Sequence, residues 1–102
     1  MSLTIVVPAF NEEANLLPVI RRTVATLDAA GWAGKYEIIV VNDGSRDGTG
    51  SAADDLARSL STVKVVHHAV NQGFGAALQS GYAKAVGTYA TVIPADGEVE
   101  VE

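Results

Sequence analysis

Four short apolar runs alternate with three amphipathic stretches along this chain. Leu3 to Val7 is apolar, rich in β-branched residues and bounded by Pro8, the pattern of a buried strand. Leu16, Leu17, Ile20, Val24 and Leu27 then recur at helical spacing on one face. Asn11 stands where a helix cap is expected. Glu12 and Glu13 fall in the first turn, where acids suit the positive end of the helix dipole. Pro18 is early enough to be tolerated, with some distortion of the second turn. Gly31 and Gly34 close this helix around Trp32.

Glu37 to Val41 reads as a second buried strand, and Asp43 to Gly50 as a polar, glycine-rich loop. Ser51 to Leu60 is helical, with Ala53, Leu56 and Leu60 inward. Val63 to Val66 is a third strand and Asn71 to Gly75 a glycine loop. A helix of small residues from Phe74 to Val86 and a strand from Thr88 to Ile93 follow. The order β-α-β-α-β-α-β predicts an α/β fold. Its sheet is Rossmann-like, doubly wound and mostly parallel, with right-handed crossovers.

The length of 102 residues fits one small domain, covering 1–102. At 48% hydrophobic and 19% charged residues the chain is globular. A net charge of −5 argues against nucleic-acid partners and anionic membrane surfaces, which need a basic patch. The absence of cysteine excludes disulfides and thiolate metal sites, and fits a reducing, cytoplasmic setting. No signal peptide precedes the first strand, and no apolar run approaches the ~20 residues of a membrane span. The acidic run Glu98 to Glu102 follows the last strand with no helix after it. The chain is therefore expected to be a fragment of a larger domain. A sheet cut short leaves an open edge, expected to pair with another copy as a homo-oligomer.

The chemistry concentrates where apolar runs stop. In open α/β sheets, ligands bind outside the carboxyl ends of the strands. Two such ends here carry Asn11, Glu12 and Glu13, then Asn42, Asp43, Ser45 and Asp47. Asn42-Asp43-Gly44-Ser45 reads equally as a simple turn and as a site where Asp43 accepts a hydrogen bond from a base or sugar hydroxyl. Asp43, Ser45, Asp47, Gly48 and Asp54 mimic the spacing of a calcium loop. That reading fails because a strand enters the loop and Gly50 takes its apolar position. Gly73-Phe74-Gly75 opens a helix, as in a dinucleotide fingerprint, but Leu78 replaces the third glycine. The small residues Gly73, Gly75, Ala76, Ala77 and Gly81 suit close helix packing, and the helix N-terminus suits a phosphate. His67 and His68 are adjacent in an extended segment, so they point to opposite faces and do not chelate one metal. Asp96 and Glu98, two apart, suit a hard divalent ion or else a solvated acidic tail.

Taken together, Pro8-Ala9-Phe10-Asn11-Glu12, Asn42-Asp43-Gly44-Ser45 with Asp47 and Thr49, Asn71-x-Gly73-x-Gly75-x-Ala77 with Gly81, and Ala85-x-Gly87-x-Tyr89 resemble four ordered motifs. They are those of the family 2 glycosyltransferases, whose domain has the GT-A fold, and they cover almost the whole chain. The Gly-x-Gly-x-Ala form resembles the dolichol-phosphate mannosyltransferase and polyprenol-phosphate glycosyltransferase branch. The resemblance implies a truncated GT-A domain of about four strands and three helices. It implies a UDP- or GDP-sugar donor, bound by Pro8, Ala9, Phe10, Asn11, Glu12, Asp43, Gly44, Gly73 and Asp96. It further implies inverting transfer to a lipid-phosphate acceptor, at a cytosolic membrane face in the parent protein. Asp96 would be the last acid of an Asp-x-Asp motif holding Mg²⁺ or Mn²⁺, with Glu98 as a further oxygen ligand. Pro94 replaces the leading acid of that motif. No residue matches the family's catalytic base, which is expected in a further C-terminal part. The alternatives are a non-catalytic nucleotide-binding module and an unrelated doubly wound domain.

Overall fold

The computed structural model of the chain describes residues 2–87 and 89–95. The elements follow the expected alternation: β1 (Leu3–Ala9), α1 (Glu13–Ala29), β2 (Tyr36–Asp43), α2 (Thr49–Ser59), β3 (Val63–His68), α3 (Phe74–Lys84) and β4 (Tyr89–Val92). The strands form one sheet in the order β3-β2-β1-β4, and every pairing is parallel. This is the α/β, doubly wound arrangement that the sequence pattern predicts.

Side chains alternate across the sheet, as strand geometry requires. On one face Ile5, Val7, Ile38 and Val40 pack with Leu16 and Ile20 of α1 and Ala53 and Leu56 of α2. On the other, Val6, Ile39 and Val41 meet Ala77 of α3. β2 is covered on both faces and is buried along its whole length, which explains its unbroken apolar run. Leu17, expected on the inner face of α1, is 39% exposed. Val19 and Thr23 point inward instead.

Three strands run further than their apolar runs. Backbone pairing continues through Pro8↔Val41, Ala9↔Asn42, Asn42↔His67 and Asp43↔His68 after the side chains have turned polar. The polar motif residues Asn42 and Asp43 are therefore fixed in the sheet rather than in a loop. Pro8 limits the pairing on the other side of β1. Ile93 N–H donates to Val6 O and Ala95 N–H to Pro8 O, but Pro8 has no N–H to return. The β1–β4 ladder ends at Val6↔Val92.

A buried acid ties the amino ends of the strands together. Glu37 on β2 accepts from the Thr4 hydroxyl (2.6 Å), the Lys64 ammonium (2.8 Å) and the Val86 N–H (2.7 Å). Gly87 N–H in turn donates to Thr4 Oγ1 at 3.0 Å. One carboxylate thus joins β1, β2, β3 and the connection into β4. Burial would raise the Glu37 carboxyl. The hydrogen bonds from Lys64, Thr4 and Val86 outweigh it and hold the group below its usual range.

Candidate functional site

The carboxyl ends of β1 and β2 and the start of α3 enclose a small cavity of about 160 Å³. It is lined by Pro8, Ala9, Phe10, Asp43, Asn71, Gly73, Phe74 and Ala77. Five of the residues expected to hold the donor meet here: Pro8, Ala9, Phe10, Asp43 and Gly73. They come from motifs some thirty residues apart, joined by the register Pro8↔Val41 and Ala9↔Asn42. Phe10 (43% exposed) and Phe74 (59% exposed) stand at its rim. Gly73 has φ +98, a conformation that suits glycine, and a side chain added there or at Gly75 would meet nothing within 4 Å. The backbone at the start of α3 is thus open to close approach by a ligand. Gly75 faces this open space rather than the sheet. Ala77 and Gly81 make the tight helix packing: a β-carbon on Gly81 would lie 2.4 Å from Val6 Cγ1.

Among the described residues Asp43 is the one acid lining this cavity, and it is 4% exposed. Its Oδ1 accepts from Gln72 N–H (2.9 Å) and pairs with His68 Nδ1 (2.7 Å), while Oδ2 accepts from Gly73 N–H (2.9 Å). Asp43 thus takes the N–H groups of Gln72 and Gly73, just ahead of α3. Burial works to raise its pKa. The hydrogen bonds from His68, Gln72 and Gly73 outweigh burial and lower it, so Asp43 is ionised at neutral pH. An ionised carboxylate only accepts, so His68 Nδ1 carries the proton. His68 Nε2 pairs with the Ser80 hydroxyl at 2.7 Å. The neighbouring His67 turns to the opposite face, as expected. There it meets Asn42 Nδ2 (3.0 Å) and Asp54 Oδ1 (2.9 Å).

Among the described donor-binding candidates, Asn11, Glu12 and Gly44 do not line this cavity. Asn11, with Glu12, Glu13, Asn15 and Asp47, lines a separate, wide-open depression. Asn11 does not cap α1. It has φ +53, in the left-handed region that asparagine tolerates better than most residues. Its Oδ1 accepts from Arg46 N–H at 2.8 Å, and its own N–H donates to Ser45 Oγ at 2.9 Å. Glu12 N–H donates to Thr49 Oγ1 (2.8 Å) and Gly48 N–H to Glu13 Oε1 (3.0 Å). The first two motifs therefore brace each other. Asp47 accepts from Thr49 and from Glu13 N–H. The Thr49 hydroxyl above all holds its carboxyl below the usual range. Gly44 lines neither depression: it has φ +73 and packs against the backbone of Val70 and Asn71.

Asp96 and Glu98, the expected metal ligands, lie outside the described residues. Among the described residues no group of three His, Asp or Glu is placed to hold a metal ion. Nor does any described helix have the length and apolar character to cross a membrane. A larger apolar groove lies between α1 and α2, lined by Leu17, Val24 and Leu56 among others, and holds none of the motif residues. His68 and Ser80 were not expected as partners of Asp43. They are twelve residues apart, and the packing of α3 on the sheet brings them together.

The profile of one protein family, described as "Glycosyl transferase family 2", matches residues 4–102. Among curated proteins, a dolichyl-phosphate beta-glucosyltransferase of Trichomonas vaginalis is 34% identical over 97% of this chain and 30% of its own length. The dolichol-phosphate mannosyltransferase of Saccharomyces cerevisiae is 31% identical over 91% of the chain and 34% of its own length. The chain thus spans about a third of the length of such relatives. Among solved structures, the mannosyltransferase PcManGT of Pyrobaculum calidifontis, in complex with GDP-Man and Mn²⁺, superposes with a TM-score of 0.73 at 27% identity. That superposition covers 92% of this chain and 27% of PcManGT. S. aureus TarS 1-349 in complex with UDP-GlcNAc gives a TM-score of 0.80 at 24% identity, over 94% of this chain and 27% of TarS, a likeness of fold alone.

Proposed function

The chain belongs to glycosyl transferase family 2, and we propose that its strand-end cavity receives the nucleotide of a nucleotide-diphospho-sugar donor. One observation carries this reading. Pro8, Ala9, Phe10, Asp43 and Gly73, drawn from three separated motifs, line one cavity at the carboxyl ends of parallel strands, where such folds bind ligands. A largely apolar wall with the Asp43 carboxylate and the Asn71 amide among its described residues suits a flat base bearing polar edges.

The parent protein then transfers the sugar to a polyprenyl phosphate. The relatives named for dolichyl phosphate support that acceptor. An acceptor phosphate oxygen forms a bond to the anomeric carbon from the face opposite the diphosphate. The bond from that carbon to the donor oxygen breaks, the nucleoside diphosphate leaves, and the configuration inverts. Mg²⁺ or Mn²⁺ held by Asp96, with Glu98, would supply neutralisation of charge on the leaving diphosphate; the Mn²⁺ complex of PcManGT supports this. Self-association through the β4 edge, which pairs with β1, belongs to the same proposal.

The test is calorimetric titration of the intact protein with UDP and GDP, each with and without Mn²⁺, alongside transfer of labelled sugar to a polyprenyl phosphate. Saturable nucleotide binding that Mn²⁺ strengthens, and that weakens in Asp96→Ala, is expected. Failure to bind either nucleotide would overturn the reading.

A further inference from the structure

We propose that Ser80 is a nucleophile that takes an acyl group from an activated ester, with His68 as its base and Asp43 as the residue that positions that base. This goes beyond the nucleotide reading of the cavity and does not rest on it. His68 and Ser80 line neither depression at the strand ends. They form a relay of two short hydrogen bonds. Ser80 Oγ lies 2.7 Å from His68 Nε2, and His68 Nδ1 lies 2.7 Å from Asp43 Oδ1. A hydroxyl, a base and an orienting carboxylate within hydrogen-bond reach of one another make an activated nucleophile.

Each link has a physical cause. Gln72 and Gly73 N–H fix the Asp43 carboxylate, at 2.9 Å each, and with His68 they keep it ionised against burial. An ionised carboxylate only accepts, so it takes the Nδ1 proton of His68. In the neutral imidazole the lone pair is then on Nε2, the nitrogen beside Ser80 Oγ. The His68 side chain is 7% exposed, so the ring has little room to turn away. Access comes from the sheet margin. β3 is the outer strand, and α3 packs over β1 and β2. Ser80 reaches toward His68 on that outer strand and is itself partly exposed. Of its neighbours one turn away, Ala76, Ala77 and Ala83 are small and Lys84 is exposed.

The helix also sets the class of acyl donor. Ser80 lies inside α3, where backbone N–H groups are bonded within the helix and are not free to hold an oxyanion. The donor must therefore bring its own good leaving group, which selects activated esters and thioesters over amides. The Ser80 oxygen bonds to the acyl carbon and its proton passes to His68 Nε2. The bond from that carbon to the leaving oxygen or sulfur breaks, and the leaving group departs as its anion. Asp43 stabilises the imidazolium that forms.

The experiment treats the intact protein with p-nitrophenyl acetate and maps initial rates of acetylation by mass spectrometry of proteolytic fragments. Ser51, Ser59 and Ser61 are exposed and serve as references within the same chain. Ser80 is expected to be acetylated about 100-fold or more faster than these, the lower end of what a positioned base contributes. This comparison needs no variant to fold. Equal rates at the four serines would overturn the proposal. His68→Ala is expected to remove the advantage of Ser80, and imidazole added to the buffer to restore part of it. A fast Ser80 in His68→Ala, or a loss that imidazole does not restore, would overturn the assignment of His68 as the base.

Discussion

A β-carbon on Gly44 would sit 2.2 Å from the backbone nitrogen of Asn71. The loop after β2 and the loop before α3 therefore approach backbone to backbone at this point. Gly44 also has φ +73, where side chains are strained whatever the space. Gly34 has a similar φ of +78 but open space around it. The pair separates conformational strain from collision. Gly34→Ala is expected to cost about 1 kcal/mol, and Gly44→Ala about 3 kcal/mol or more, since backbone rather than a side-chain tip must move. Urea denaturation of both variants measures the difference. Equal losses would show that the Gly44–Asn71 approach is not tight.

The packing of α3 on the sheet rests on a similar exclusion. Gly81→Ala would gain about 1 kcal/mol of helix propensity. It would also drive a methyl group into Val6 Cγ1, 2.4 Å away, and overpacking of this kind costs about 1–3 kcal/mol. A net loss of stability is expected. Val6→Ala leaves a gap at the same place, so Val6→Ala/Gly81→Ala is expected to be more stable than the two single losses predict. Additive losses in the double-mutant cycle would count against direct contact.

Much of this architecture was legible in the pattern of residues. The alternation of apolar runs and helical stretches gives the parallel doubly wound sheet, because each run carries a local period. The ends of the elements were less legible. Pro8 and the polar pair Asn42-Asp43 look like stop signals, yet backbone pairing carries β1 and β2 through them. Asn11 has the composition of a cap, but its side chain bonds Arg46, thirty-five residues away. The partners of Glu37 lie on Thr4, Lys64 and Val86, at separations of 33, 27 and 49 residues. No local period encodes such partners. The donor-binding residues were grouped by motif, and the fold sets Asn11 and Glu12 in a depression apart from Pro8, Ala9, Phe10, Asp43 and Gly73 because Asn11 and Glu12 bond to the second motif's residues.

Asn11 offers a graded test of the brace between the first two motifs. Asn11→Ala loses both the acceptor for Arg46 N–H and the residue type suited to φ +53. About 1–3 kcal/mol of destabilisation is expected. Asn11→Gly restores the backbone but not the hydrogen bond, and Asn11→Asp keeps both a short acceptor and tolerance of the left-handed region. The expected order of stability in denaturant is Asp above Gly above Ala. Ala equal to Asp would show that the Asn11–Arg46 bond contributes nothing.

The pH dependence of stability follows from Asp43 and Glu37, both held below their ordinary values in the folded chain. A carboxyl depressed on folding stabilises the fold at pH above its unfolded value. That contribution is lost as pH falls through the folded value, because the folded state must then take up protons it resists. The ordinary values are 4.5 for Glu37 and 3.8 for Asp43. Stability from these groups is therefore fully present at neutral pH and begins to fall below about pH 5. Glu37→Gln keeps the shape of the side chain but has one acceptor oxygen where Thr4, Lys64 and Val86 supply three donors. It is expected to be less stable at pH 7 by about 1.5–3 kcal/mol, the range for hydrogen bonds to a charged group. The gap to the natural chain should then close as pH falls from about 6 to about 3, since the natural carboxylate is itself being protonated. Urea midpoints across that range supply the measurement. A gap that stays constant with pH would mean that shape, not charge, is what Glu37 contributes where three strands and the connection into β4 meet.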